Sequence, residues 1–290
     1  MSYLGTIAGL IGIKTILALS VFLVFLTGQL SLGQGAFFGI GAYTSAILTM
    51  IYGVPFVLAL IIGGAISLVC GIILGIPVLR LRGLVLAIAT LGFGQMVNAF
   101  FLNWEYEVKV NNMLIGPKAG TGFRYIEPLT TQGMILGWLL FFIIFVYLLE
   151  RSRFGYAMLS IRENEEAAQS IGVNVTMLKV TSFAISAFIA GVAGGLYSHF
   201  ITFIHPLDFD YRISIIVLAY VAIGGVESFW GALLGTFFLI GLAESIRFIG
   251  EYRLMVYGIL MVVVMIFRPR GLIDRELFWK FQNIFYKHRS

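Results

Sequence analysis

PFVLALIIGGAISLVCGIILGIPVL, residues 55–79, runs without a single charged side chain. A helix needs about 20 apolar residues to cross a hydrocarbon core, so this stretch is long enough alone. It lacks the strict alternation of a barrel strand, and a helix satisfies its backbone hydrogen bonds within one segment. The stretch therefore reads as a transmembrane helix. Comparable runs lie at residues 4–26, 84–103, 133–149, 178–204 and 229–247, with shorter ones at 35–51, 213–223 and 254–267. The expectation is an all-α polytopic membrane protein with about 8 to 10 transmembrane helices, some broken or re-entrant.

Composition points the same way. With 60% apolar and 11% charged residues, a soluble globule of 290 residues would leave most of its apolar surface unburied. No flexible linker divides the chain, which reads as a single membrane domain over residues 1–290. The first run is too long, and lacks the basic start, for a cleavable signal, so it reads as the first span. Cys70 is the lone cysteine and supports neither a disulfide nor a metal site. The net charge of +5 suits an anionic inner leaflet and gives no reason to invoke nucleic acid.

Orientation follows from the basic residues. Twelve of them, among them Arg80, Arg82, Arg162, Lys179 and Arg268, share one side if the loop 150–179 and the C-terminus are cytoplasmic. The opposite side keeps six, balanced by acidic residues, and the longest polar interval, 104–132, reads as an external loop. The bias points the 150–179 loop inward.

Within that loop the chain reads ENEEAAQSIG from Glu163 to Gly172. Asn164 suits an N-cap, Glu165 and Glu166 fall in the first turn where the helix dipole favours carboxylates, and Gly172 suits a left-handed stop. A helix of about two turns follows, with Ala167 and Ala168 small enough for close approach to another backbone. Such a helix either docks in a groove of another protein or joins two spans as a solvated surface helix.

Two segments interrupt the spans. TGQLSLGQGAFFGIGAY, residues 27–43, is rich in glycine and carries Thr27, Gln29, Ser31 and Gln34 between apolar runs. AYVAIGGVESFWGALLG, residues 219–235, has a similar mixture broken at Glu227 and Ser228. Irregular backbone at membrane depth is tolerated where protein buries it or water reaches it, which makes both candidates for a pathway lining. The alternative is that the glycines bring helices together. Ser31, Gly33, Gln34, Gly41, Tyr43, Thr90 and Gln95 are the candidate pathway residues. Ionisable groups within the spans are few: Lys14 faces the bundle interior or snorkels, and Glu227 and Glu244 fall near segment ends. Energy coupling by mid-membrane carboxylates is therefore not indicated. No phosphate loop, catalytic triad or zinc spacing occurs, so the chain does not read as an enzyme.

These residues carry a resemblance. The EAA sequence with Gly172 resembles the coupling motif of ABC importer permeases. GQLSLGQGAFFGIGAY at 28–43, LRLRGLVLAIATLGFG at 79–94, SRFGYAMLSIRENEEAAQSIGVN at 152–174 and RPRGLI at 268–273 together resemble the LivM-type permeases of high-affinity branched-chain amino acid transporters. The similarity covers nearly the whole chain. It departs at NNMLIGPKAGTGF, 111–123, where the family tends to a Thr-Gly-Gly-Pro-Asn-Gly type sequence, and at Lys14, in a first span usually uncharged.

The resemblance implies a permease in the bacterial inner membrane, paired with a homologous LivH-like permease. Two cytoplasmic ATPases would carry ATP and magnesium, and a periplasmic or lipid-anchored binding protein would deliver substrate. No cofactor is expected on this chain. Glu163, Asn164, Glu165, Glu166, Ala167, Ala168 and Gly172 would couple the ATPases to the membrane. Leucine, isoleucine and valine are the implied substrates. Urea or a short amide is an alternative within the same class, and a stand-alone channel or secondary carrier is one outside it.

Overall fold

The computed structural model describes residues 3–110, 113–226 and 228–245, with Met255, Gly258, Ile259 and Val262 as single helical positions. The run at 254–267 as a segment, the RPRGLI block, Glu227, the side chain of Glu244 and the basic C-terminal residues lie outside the described residues. The described chain forms ten α-helices: α1 Tyr3–Leu26, α2 Gln34–Met50, α3 Phe56–Val78, α4 Gly83–Asn103, α5 Gln132–Glu150, α6 Arg153–Glu163, α7 Glu165–Ser170, α8 Val175–Ile201, α9 Tyr211–Gly224 and α10 Phe229–Ser245.

Five of them, α1, α3, α4, α5 and α8, are long and apolar enough to cross a membrane. Segments Pro206–Gly224 and Phe229–Leu242 meet at 115°, the geometry of one broken span or of a re-entrant loop. The eight to ten crossings read from sequence thus compare with five spans, or six if the bent pair is one, among the described residues. The difference lies in α2, whose 17 residues are short for a span, in α9 and α10, which count together at most once, and in the run 254–267, which lies outside the described residues as a segment.

Helices α1, α2 and α8 form the centre. Their side chains, among them Leu17, Phe22, Phe37, Phe38, Ala190 and Leu196, are shut off from the exterior. Around them α3, α4 and α5 turn apolar faces outward. On α5 the exposed residues Leu136, Leu140, Ile144 and Leu148 recur every fourth position, a continuous stripe that suits lipid contact. With the apolar spans, this arrangement is that of a multi-pass membrane protein.

The centre closes through glycine. A Cβ at Gly41 of α2 would overlap the Gly191 backbone of α8, and one at Gly191 would meet Ser67 of α3. Three helices therefore meet backbone to backbone, as small residues permit in membranes. The hydroxyl of Ser67 donates to the Gly63 carbonyl at 2.9 Å and the Phe37 carbonyl at 3.2 Å at this junction.

Between α4 and α5 the interval expected to form a loop is partly regular. Strands β1 Val108–Val110 and β2 Met113–Ile115 pair antiparallel, with Lys109 opposite Leu114. Phe123 and Ile204 exchange backbone bonds of 2.8 and 3.1 Å, which ties this interval to the chain leaving α8.

Replacing Gly191 with leucine is expected to destabilise the fold by about 3 kcal/mol through overpacking at the junction. Thermal unfolding in mild detergent measures it, and an unchanged midpoint would mean that α2 and α8 can part.

Candidate functional site

Helices α6, α7 and the start of α8 form a capped unit at one end of the bundle. The Ser152 hydroxyl accepts from the Gly155 amide at 3.3 Å, the Asn164 side chain from the Ala167 amide at 3.0 Å, and the Asn174 side chain from the Met177 amide at 3.0 Å. Each side chain satisfies an amide that has no partner inside its own helix. Glu165 and Glu166 sit in the first turn of α7, and Gly172 follows in the left-handed region at φ 89°.

The two alanines divide between two faces. Ala168 is buried against Ile161 and Val175 of its own chain, whereas Ala167, Glu163, Glu166 and Ile171 face outward. Close approach by another protein is therefore open at Ala167 and closed at Ala168. Ile171 is 77% exposed at the tip of the unit, with Met177 and Tyr156 also exposed. These apolar residues escaped the sequence reading because nothing local distinguishes them from core positions.

The unit is pinned to the bundle electrostatically. The Lys179 ammonium, with its side chain only 8% exposed, lies 2.9 Å from Glu165 Oε2, and Arg82, from the turn before α4, lies 3.5 Å from Oε1. The hinge between α6 and α7 also reaches both breaks in the spans. The Arg162 backbone packs against Gly28 in the turn after α1, and its guanidinium donates to the Val226 carbonyl at 3.2 Å, at the bend between α9 and α10.

The first break is confined to residues 27–33, and the helix resumes at Gln34. The Leu32 amide donates to the Thr90 hydroxyl at 2.9 Å, and the Gly33 amide to the Ser31 hydroxyl at 3.2 Å. The Gln34 side chain donates to Ser186 at 2.9 Å and accepts from Ser20 at 3.3 Å. Ser31, Gln34 and Thr90 thus direct polar atoms to bonds within the chain. Gly41 lies at the helix junction, where the close-approach reading applies to it. Tyr43 stacks on Phe101 with 4.1 Å between ring centroids, and its buried hydroxyl is unmatched.

The bend after α9 falls where sequence put it, with Gly225 at φ 122°. A further interruption occupies residues 202–210, between the apolar runs read at 178–204 and 213–223. It follows a left-handed Thr202 at φ 65° and contains the short 3-10 turn Pro206–Phe209. Asn98 donates to the Pro206 carbonyl at 2.6 Å, and Gln95, near the middle of α4, donates to Asp210 at 2.7 Å. The helices that follow residues 27–33 and 202–210 meet where the Gly35 amide donates to the Ser214 hydroxyl at 2.9 Å. Here α2 and α9 start close together in the middle of the bundle.

Two cations occupy this depth. The Lys14 ammonium lies over the rings of Phe38 and Tyr197, 5.2 and 5.3 Å from their centroids, so it faces the interior. Arg212 stands 4.0 Å from Asp210, and its side chain is 65% exposed. A guanidinium exposed to lipid is costly, so the start of α9 beside α4 suits contact with water or another protein. Among the described residues, no three His, Cys, Asp or Glu side chains gather as a metal site would require.

The family model described as branched-chain amino acid transport system / permease component matches residues 3–265. The high-affinity branched-chain amino acid transport system permease protein LivM of Salmonella typhimurium is 37% identical over 86% of the chain and 65% of its own length. LivM of Escherichia coli is 37% identical over 92% of the chain and 69% of its own length. The LivH permease of E. coli is 24% identical over 86% of both chains. The chain therefore spans about two thirds of the LivM relatives. No solved structure matches it significantly.

Replacing Glu165 with glutamine leaves the Lys179 ammonium largely buried and without its carboxylate. It should cost about 2 kcal/mol, and more than Lys179→Met, which leaves Glu165 beside solvent and Arg82. Thermal unfolding of both variants gives the order, and equal midpoints would show that the pair does not hold α7.

Proposed function

Because the chain belongs to the family of permease components of branched-chain amino acid transport systems, we propose that it is one permease of an ATP-driven importer in the bacterial inner membrane. The relatives are named as transport permeases, and the chain is read as a permease and not as an enzyme. Its proposed substrates are leucine, isoleucine and valine. The proposed assembly pairs it with a LivH-like permease, two cytoplasmic ATPases that handle ATP and magnesium, and an external binding protein. The chain acts as one membrane domain, with the α6–α7 end and the C-terminus cytoplasmic and the β1–β2 hairpin external.

The observation that carries this reading is the contact of one hinge with two breaks, the turn after α1 and the α9–α10 bend. Arg162 touches Gly28 on one side and the Val226 carbonyl on the other, directly before α7. An ATPase gripping Glu163, Glu166, Ala167 and Ile171 would move Asn164, Glu165 and Arg162 with α7. The turn after α1 and the α9–α10 bend would shift together, opening and closing a route beside them. Alternating access then follows from ATPase closure and reset after hydrolysis.

The route runs along the partly exposed seam of Gln95, Asp210 and Arg212. A zwitterion brings an ammonium and a carboxylate to such a pair while its aliphatic side chain passes apolar walls. Ser31, Gly33, Gln34 and Thr90 shape that wall from behind, by holding the first break in place. Selectivity rests mainly with the binding protein.

The deciding experiment purifies the chain from its native membrane in mild detergent and identifies stoichiometric partners. Recovery of a second permease and two ATPases, with leucine-stimulated ATP hydrolysis in the presence of the co-purified binding protein, is the expected result. Stimulation by urea alone would move the substrate to the amide class, and ATP-independent transport by the isolated chain would overturn the reading.

Gly172 gives a sharper test of coupling. No atom lies within 4 Å of a Cβ built there, so a side chain fits but the left-handed backbone resists it. Gly172→Val should lower leucine uptake about tenfold with normal membrane insertion, while Gly172→Asn retains most of it, since asparagine tolerates this conformation. Normal uptake by the valine variant would remove the stop of α7 from the mechanism.

A further inference from the structure

A cavity of about 210 Å³ lies between the turn after α1, the start of α4 and the α6–α7 hinge, lined by Gln29, Arg82, Gly83, Arg162, Glu165 and Lys179. We propose that it holds the phosphate headgroup of an anionic phospholipid from the leaflet at the α7 end. The inference rests on the reading of the chain as a membrane-embedded permease, and it adds a ligand that this reading does not require.

Four observations support it. Three cationic residues and one carboxylate line the cavity, an excess of two positive charges; Arg82 and Lys179 pair with Glu165, while Arg162 reaches the Val226 carbonyl. The start of α4, a helix of 21 residues, has no side-chain cap, so its first amides are available to an acceptor and its dipole favours an anion. Gln29 is 4% exposed, and neither atom of its side-chain amide has a hydrogen-bond partner. Arg82 holds Glu165 at 3.5 Å against 2.9 Å for Lys179, so Arg82 can turn to a phosphate while Lys179 keeps Glu165 neutralised.

The ligand is a lipid because of what lies beside the cavity. Leu84, Val85 and Ile88, in the first two turns of α4, are all more than half exposed, and partly exposed Leu81 lines the cavity itself. Basic groups beneath an outward apolar face match a headgroup with its acyl chains above it. A free phosphate ester would use the charges and leave the apolar face without a role.

The test uses the purified transporter complex, stripped of lipid in mild detergent, with native mass spectrometry as readout. Phosphatidylglycerol should be retained in preference to phosphatidylcholine, and Arg82→Gln should weaken that retention about fivefold, the effect of one basic residue at an anionic surface. Gln29→Leu should weaken it too without a change in charge, and it carries the test if Arg82→Gln fails to assemble; Arg82→Lys should retain most of it. Equal retention of the two lipids, unaltered retention in both variants, or displacement of phosphatidylglycerol by millimolar glycerol 3-phosphate would overturn the lipid site. Leucine uptake is followed separately in vesicles. Lost lipid preference with intact uptake counts against this site alone, and intact preference without uptake counts against the transport reading alone.

Discussion

Backbone amides and carbonyls at membrane depth must find partners within the protein, and the centre of this bundle is arranged around that demand. Each unmet group would cost several kcal/mol where water is absent. Residues 27–33 and 202–210 leave helical geometry with part of their length buried, and polar side chains on neighbouring helices meet them there. Thr90 takes the Leu32 amide, Ser214 takes the Gly35 amide, and Asn98 supplies the Pro206 carbonyl. Thr90, Asn98 and Ser214 are accounted for by these bonds before any transport role is assigned to them.

The straight spans and the capped α7 were legible because their signals are local. An uninterrupted apolar run fixes a crossing, and Asn164, two glutamates and Gly172 fix a short helix within nine positions. The packing of residues 202–210 against α4 was not legible. Pro206, Asp208 and Asp210 look like an ordinary loop after a span, and the side chains that hold the segment, Asn98 and Gln95, lie 108 and 115 positions earlier. Ala168 and Gly41 show the same limit. Each is a small residue in a suggestive motif, and only the packing of distant elements decides which way it faces.

Charge is treated in two different ways in the fold. Lys14 makes no ion pair within 4 Å among the described residues, with Asp208 acting on it only at longer range, and it rests on two aromatic faces that supply modest attraction. Lys179 is paired with Glu165 at the edge of the bundle, where solvent remains close to the carboxylate. The first arrangement suits a fixed position. The second can be rebuilt with other partners, since Arg82 already shares Glu165, and it lies at the base of α7.

Several of the long-range contacts end on main-chain carbonyls: Arg162 on Val226, Asn98 on Pro206 and Thr130 on Leu196. Every residue type offers a carbonyl, so the acceptor position can change identity without breaking the bond. In a collection of related sequences the donor would be constrained while its acceptor drifted. Covariation between paired positions would then be weak at the joints where α6 and α4 hold the breaks in the spans, although those joints are structurally central.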